Sequence, residues 1–456
     1  MASGYRVASP VQQGNPRLYM NSKLSPTPSF GAACWLWLRI GCLGFGGPAG
    51  QIALLQDEVV ARRQWVSAQR FQHALDYCIL LPGPEAQQLA TYLGWLLHGT
   101  RGGVVAGTLF VLPGLIVITV LAWGYLRVGQ TRMALELLSG IKPVVVAMVC
   151  AATWRMGRRA ITTPMAGLIA VAACAASVSA AVPFPLVLLI AAVLGTLHHR
   201  TLAAAAPTEA SGAAPSPLAP HLRRSRTRLL TTIAVVFALW GGAVASLWAL
   251  TGPKGVLMDL ALLMTQAALV TFGGAYAVLP YVIEAAVRQY GWITAPQAID
   301  ALAFGETTPG PLILILSFIG ALAVVQSSPV ALATPQLTIA VIAGAGVAAF
   351  FTFLPSFLFI LAAGPWVEAS RQLPRIRGPL SGIRAAVVGM IAALAFSFAG
   401  PVLLPSPPHP DWQAIAIAAT ALVALVRFQR GALETLIAGG AVAALSSLAR
   451  HFIPAT

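Results

Sequence analysis

The chain has 456 residues, of which 58% are hydrophobic and only 9% are charged. Soluble domains carry roughly 25% charged residues, so this composition excludes a soluble globular class and predicts a polytopic membrane protein. The net charge of +15 does not indicate nucleic-acid binding, because most Lys and Arg residues stand at the ends of apolar segments, where membrane topology places them.

The first 29 residues are polar, contain four prolines and lack an apolar region after a basic start. We therefore expect residues 1–29 to form a cytoplasmic tail and not a cleaved signal peptide. From residue 30 onward, apolar segments long enough to cross a hydrocarbon core of about 30 Å follow one another. The predicted fold is all-α, with about thirteen transmembrane helices at 30–47, 74–98, 103–126, 133–154, 162–181, 183–198, 229–251, 257–281, 298–322, 337–365, 381–403, 413–427 and 431–449.

A segment rich in Ala and Pro interrupts this series at residues 200–228 and ends in a basic cluster, which predicts a flexible linker. The sequences on its two sides resemble each other, with Phe-Gly-Gly and Pro-Gly-Pro recurring after 227 residues and the segment around Lys142 recurring 242 residues later. The predicted domains are thus a first repeat at 30–199, a connecting transmembrane helix at 229–251 and a second repeat at 252–456.

A single helix between two six-helix repeats inverts the second repeat relative to the first. With the N-terminus in the cytoplasm, 18 of the 28 Lys and Arg residues fall in cytoplasmic segments and seven in outer segments, as the positive-inside rule requires. Inverted repeats with broken helices are typical of secondary transporters, whose sites lie at the repeat interface near the bilayer midplane.

The two recurring motifs place proline and glycine inside apolar segments. Proline breaks a helix, and in lipid the freed backbone groups are tolerated only where protein or a water-filled cavity satisfies them. The helix that follows presents an N-terminal end, which attracts anions. An ordinary kink explains one such motif, whereas two motifs duplicated in register favour a binding site. The candidate residues are Gly46, Gly47, Pro82, Gly83, Pro84, Gly273, Gly274, Pro309, Gly310 and Pro311.

Three basic residues, Arg39, Lys142 and Arg384, fall inside predicted helices. A charge in the hydrocarbon region costs at least about 2.5 kcal/mol, so it faces the protein interior and usually has a role. We expect these residues to bind the anion. Lys142 and Arg384 also stand close enough to helix ends for their side chains to snorkel to the membrane interface.

Four acidic residues, Asp76, Glu85, Glu136 and Glu306, lie in the same depth range. Asp76, Glu85 and Glu306 are the candidates for proton coupling or ion pairing. Glu85 begins a helix, where a carboxylate also fits as a simple cap of the helix dipole. Its counterpart in the second repeat is Leu312, so the two halves are chemically unequal.

Enzyme signatures are missing from the sequence. Nucleotide-binding, metalloprotease and hydrolase motifs do not occur, and the five cysteines form no CxxC pair. We therefore expect neither a cofactor nor a metal, and we interpret the cysteines as small buried hydrophobic residues.

The stretches FGGPAGQIALLQDEVVARRQW and LLPGPEAQQLATYLGW, together with TFGGAYAVLPYVIEAAVRQYGWIT in the second half, resemble the chromate ion transporter family. The resemblance covers Phe30 to Ala449 apart from the linker and is greatest to the long, two-domain bacterial members. It implies export of chromate across the cytoplasmic membrane, with resistance to chromate as the phenotype and sulfate as an analogue. It does not identify the residues that bind the ion.

We accordingly expect a bacterial inner-membrane secondary transporter that exports chromate, driven by the membrane potential, the proton gradient or both, with a homodimer left open. One alternative is a transporter of the same architecture for sulfate or an organic acid. A membrane enzyme that reduces chromate through its cysteines and a channel are the others.

Overall fold

The structure is a computed structural model that describes residues 26–129, 131–179, 182–203, 226–272, 274–328, 333–369, 377–405 and 409–452. The regular secondary structure of these residues consists of sixteen α-helices with short π and 3-10 turns. The predicted all-α class is confirmed. Most of the predicted tail and linker, together with the candidate Gly273, lie outside the described residues.

Seven helices precede the linker and nine follow it within the described ranges. The first seven are α1 (Phe30–Leu43), α2 (Gly47–Gln56), α3 (Ala68–Leu80), α4 (Glu85–Val128), α5 (Arg132–Ala160), α6 (Pro164–Ser179) and α7 (Phe184–Ala203). The others are α8 (Arg226–Thr251), α9 (Val256–Val270), α10 (Ala275–Glu284), α11 (Ala295–Thr307), α12 (Ile315–Gln326), α13 (Thr334–Ala369), α14 (Arg377–Leu403), α15 (Trp412–Val426) and α16 (Ala432–Phe452).

Five of the described helices, α4, α5, α8, α13 and α14, are long and apolar enough to cross a membrane, and seven shorter apolar helices accompany them. The chain is a multi-pass membrane protein. The predicted helices 74–98 and 103–126 meet in α4, whose backbone leaves helical geometry at His98 and at Gly99, where φ is +64°. Glycine adopts such a left-handed conformation without a steric penalty, so the chain turns there.

Both recurring motifs interrupt helices, which confirms the predicted broken helices. Phe-Gly-Gly separates α1 from α2, with φ of +88° at Gly46 and +72° at Gly47. Pro-Gly-Pro separates α3 from α4, and its second copy separates α11 from a 3-10 turn at Leu312–Leu314. The predicted helix at 30–47 therefore ends at Leu43, and those at 74–98, 257–281 and 298–322 are each interrupted. Proline cannot donate to the helical ladder at the Pro-Gly-Pro breaks, and glycine adopts the positive φ angles of the Phe-Gly-Gly breaks.

The two halves of the chain interlock through α5 and α14. Helix α14 packs against α6 and α7 of the first half, while α5 packs against α15 and α16 of the second half, and α5 and α14 also contact each other. Small residues permit these close approaches. A Cβ atom at Gly140 of α5 would lie 2.5 Å from Gly439 O of α16. Neither half therefore forms a separate bundle.

Candidate functional site

The broken helices of the two halves are joined by a pair of equivalent hydrogen bonds. Gly83 N donates to Thr271 O at 2.7 Å, and Gly310 N donates to Gly44 O at 3.0 Å. A shift of 227 residues relates Gly83 to Gly310 and Gly44 to Thr271, so the same contact is made twice. We call the two contacts the Gly83 crossing and the Gly310 crossing. The starts of α2, α4 and α10 and the 3-10 turn before α12 each lie a few residues along the chain from one of these crossings.

Each crossing also rests on a long helix of the opposite half. A Cβ atom at Gly310 would lie 3.6 Å from Gly114 Cα on α4, and a Cβ atom at Gly83 would contact the hydroxyl of Ser356 on α13. Gly114 and Ser356 are equivalent under the 242-residue shift. The backbone at Gly83 and Gly310 has φ of +127° and +88°, which side chains rarely adopt. Glycine is thus required at both positions by conformation, and at Gly83 also by space.

Buried amide side chains satisfy carbonyl groups that the breaks leave free. Gln51 Nε2 donates to Gly44 O at 3.0 Å and to Gly310 O at 2.5 Å. Gln88 Nε2 donates to Pro82 O at 2.6 Å. Both glutamines are fully buried. Internal partners of this kind are what a membrane protein needs wherever its helices are interrupted.

Two carboxyl groups flank the start of α10. Glu85 Oε1 lies 3.8 Å from the position of a Cβ atom on Gly274, the residue that precedes α10. Tyr276 in the first turn of α10 donates a hydrogen bond to Glu306, which is buried. The cations that act electrostatically on Glu85 are Arg384 and Arg159. Negative and positive side chains thus share the end of a helix that attracts anions.

Lys142 is engaged in an ion pair between the halves. Its Nζ lies 3.6 Å from Asp300 Oδ1 on α11, and Tyr125 donates to Asp300 Oδ2 at 2.9 Å. Arg384, the residue equivalent to Lys142, acts on Glu85 of the first half. Lys142 therefore pairs with a carboxylate of the opposite repeat, whereas Arg384 acts on one only through its charge.

A comparison with known protein families shows which family this chain belongs to. The family model described as chromate transporter matches residues 32–196 and 258–445. The chain belongs to the chromate transporter family. The two matched ranges leave out the linker and α8, and each contains one copy of both recurring motifs.

Two curated chromate transport proteins are similar to this chain over most of their length. A chromate transport protein of Pseudomonas aeruginosa is 32% identical over 80% of this chain and 79% of its own, and one of Cupriavidus metallidurans is 25% identical over 92% and 94%. An uncharacterized transporter of Bacillus subtilis is 30% identical over 27% of this chain and 63% of its own. No solved structure matches the fold significantly.

Within this chromate transporter, the predicted site residues divide into two groups. The crossings bring together the described motif residues and place Glu85 and Glu306 beside α10. Asp76 is exposed on α3 and accepts from Gln72, so the structure does not bring it to the crossings. Arg39 is half-buried on α1, about one turn before Gly44, and its side chain has no hydrogen bond or ion pair with a described residue.

The sequence did not predict three residues that the structure places at the site, namely Gln51, Asp300 and Ser356. Gln51 lies beyond the predicted end of the first helix at residue 47, so it falls outside the predicted transmembrane segments. Asp300 lies near the start of its predicted helix, where a charge needs no partner. Ser356 is buried and contacts Gly83 only through the packing of α13. One signal could have revealed Gln51, because its counterpart in the second repeat is the apolar residue Val278.

Proposed function

We propose that this chain is a secondary transporter that exports chromate from the cytoplasm across the bacterial inner membrane and thereby confers resistance. The observation that carries the proposal is the pair of crossings, which sets the starts of broken helices from both repeats beside one another in a chromate transporter family member. Curated relatives named chromate transport proteins support the choice of substrate.

Helix ends and arginine side chains supply the charge that a tetrahedral dianion needs. A helix N-terminus offers only about half a positive charge, so side-chain cations must contribute. Arg384 and Arg159 act on the same region as Glu85, and Arg39 lies close to Gly44 on α1. An arginine fork also grips two oxygens in one plane, which suits an oxyanion. Lys142 joins this set only when its ion pair with Asp300 opens.

The membrane potential can drive this export without ATP. Moving one charge across 100 mV is worth about 2.3 kcal/mol, so a dianion that leaves a negative interior gains about 4.6 kcal/mol, which exceeds a thousandfold in concentration. We propose that the N-terminus is cytoplasmic and that Glu85 links transport to protons. The repeats are proposed to be inverted relative to each other, with the crossings near the midplane.

Sulfate is the second candidate substrate. It is also a tetrahedral dianion, and backbone amides and arginine side chains recognise charge and shape that the two ions share. Sulfate is therefore expected to compete with chromate for the same site, and the ratio of the two affinities distinguishes a chromate exporter from a sulfate transporter.

Everted membrane vesicles with clamped potential and pH gradients test the proposal. Chromate should accumulate inside them, saturate with concentration and increase when the vesicle interior is made positive. Gly310→Ala should abolish accumulation because φ is +88° there. Gly346→Ala is the matched control, since a Cβ atom at that helical position meets nothing within 4 Å.

Three results would overturn the proposal. If the protein inserts normally but the vesicles accumulate no chromate, the proposed transport of chromate is wrong. Flux that never saturates indicates a channel, and Cr(III) retained in the membrane indicates a reductase.

A further inference from the structure

The two crossings have the same backbone contact but different side-chain chemistry. At the Gly310 crossing, the amide of Gln51 bridges Gly44 O and Gly310 O. The residue equivalent to Gln51 at the Gly83 crossing is Val278, which is fully buried and has no donor. None of the described residues donates a hydrogen bond to Gly83 O. The amide that bridges two carbonyl oxygens at the Gly310 crossing thus has no counterpart at the Gly83 crossing, where Thr271 O accepts from Gly83 N alone and Gly83 O has no donor among the described residues.

A carboxylate accompanies these carbonyl oxygens at the Gly83 crossing. Glu85 follows Gly83 by two residues, and its Oε1 lies 3.8 Å from the position of a Cβ atom on Gly274, three residues after Thr271. The equivalent position at the Gly310 crossing is Leu312. A carboxylate is therefore present at the crossing without an amide bridge and absent from the crossing that has one.

A further oxygen atom without a hydrogen-bond partner, Ser356 Oγ, lies against the same glycine. Gln88 Oε1 and Ser356 Oγ are buried and unpaired, and both side chains contact the position of a Cβ atom on Gly83. The Gln88 atom nearest to that position is Nε2, which also donates to Pro82 O. The equivalent residues at the Gly310 crossing are Ile315 and Gly114, which carry no side-chain oxygen.

This collection of acceptors fits a cation. Buried acceptors without donors are costly, and hard cations take carboxylate, carbonyl and hydroxyl oxygens as ligands. The C-terminal end of α3 at Leu80 adds the negative end of a helix dipole. Unwound carbonyls and half-helix C-terminal ends are also where broken-helix transporters hold their coupling ions. An anion would be repelled by the same atoms, and a proton on Glu85 would neutralise the carboxylate but leave Gly83 O unpaired.

We propose that the Gly83 crossing binds one sodium ion through Gly83 O and Thr271 O, with Glu85 supplying the balancing charge. The bound ion cancels the charge of Glu85 beside the start of α10, so it raises the affinity of that helix end for a dianion. This second effect rests on the proposed transport function, whereas sodium binding itself does not. Because coupling between two ligands is reciprocal, the dianion must raise the affinity for sodium equally.

Sodium binding to the purified full-length protein is the direct test. Radioactive sodium should bind saturably at constant ionic strength set with choline, and Glu85→Gln should weaken that binding by at least about tenfold. Val278→Gln supplies an amide where Gln51 supplies one at the other crossing, so it should abolish sodium binding. Val287→Gln, on the half-buried π turn after α10, is the matched control and should bind sodium as the wild type does.

Chromate binding measured with and without sodium tests the coupling. Sodium should lower the chromate concentration needed for half saturation in the wild type and should have no effect in Val278→Gln. Absence of saturable sodium binding, preference for potassium over sodium, or unchanged binding in Glu85→Gln and Val278→Gln would each overturn the inference. A protein that exports chromate but ignores sodium refutes this site alone. One that binds sodium but moves no chromate supports the site and refutes the transport proposal.

Discussion

Replacing Gln51 with Leu tests whether the amide bridge holds the Gly310 crossing together. The substitution removes two hydrogen bonds from a fully buried side chain. Gly310 O loses its donor, which costs about 1 to 3 kcal/mol, and Gly44 O keeps Gly310 N but loses about 0.5 to 1.5 kcal/mol. Removal of the unpaired Gln51 Oε1 offsets part of this loss. We expect the free energy of unfolding to fall by about 2 kcal/mol.

Unfolding by sodium dodecyl sulfate in mixed micelles measures this change, and chromate flux in vesicles reports its functional effect. Gln72→Leu is the matched control, because Gln72 is exposed on α3 and its amide donates to Asp76 at the surface. We expect the control to differ from the wild type by less than about 0.5 kcal/mol. If Gln51→Leu were equally stable and transported chromate normally, the amide would not support the crossing and the reasoning would be wrong.

Three other predictions concern topology, protons and the anion. Gln69→Cys and Pro296→Cys, at equivalent exposed positions of α3 and α11, should react with an impermeant thiol reagent from opposite sides of the membrane, and labelling from one side only would refute the inverted repeat. Wild-type efflux should rise as the pH falls, because a protonated Glu85 no longer repels a dianion beside α10, and Glu85→Gln should flatten this profile at normal expression. Arg384→Lys should raise the KM for chromate despite the retained charge, since an ammonium group cannot form a two-pronged contact, while an unchanged KM would exclude Arg384 from the anion site.

The broken helices could be predicted because their cause is local. Proline at 82 and 84 removes backbone donors whatever surrounds it, so the ends of α3 and the start of α4 follow from the sequence. The exchange of α5 and α14 between the halves could not be predicted, since both helices are apolar over most of their length and no pattern states which neighbour each will contact. The ion pair of Lys142 with Asp300 depends on that packing and was therefore missed.

The sequence also predicted that the two halves differ chemically, but it indicated only one of the positions at which they differ. Glu85 against Leu312 is visible in an alignment of the repeats. The contrast between Gln51 and Val278 gains its meaning only from the hydrogen bonds that Gln51 makes to two carbonyl oxygens distant in sequence. Backbone groups are identical in every residue, so a sequence cannot reveal which of them will need a partner.

The exchange of α5 and α14 has a consequence for synthesis at the ribosome. Helix α5 ends at Ala160, but α15, one of the helices that cover it, begins only at Trp412. Translation proceeds at about 5 to 20 residues per second, so α5 waits in the bilayer for roughly 12 to 50 s before α15 is made. During that interval its small-residue surface around Gly140 is open to other helices. A ribosome that stalls after the linker would therefore release a fragment whose α5 surface has no partner from its own chain, and membrane quality control should degrade that fragment rapidly.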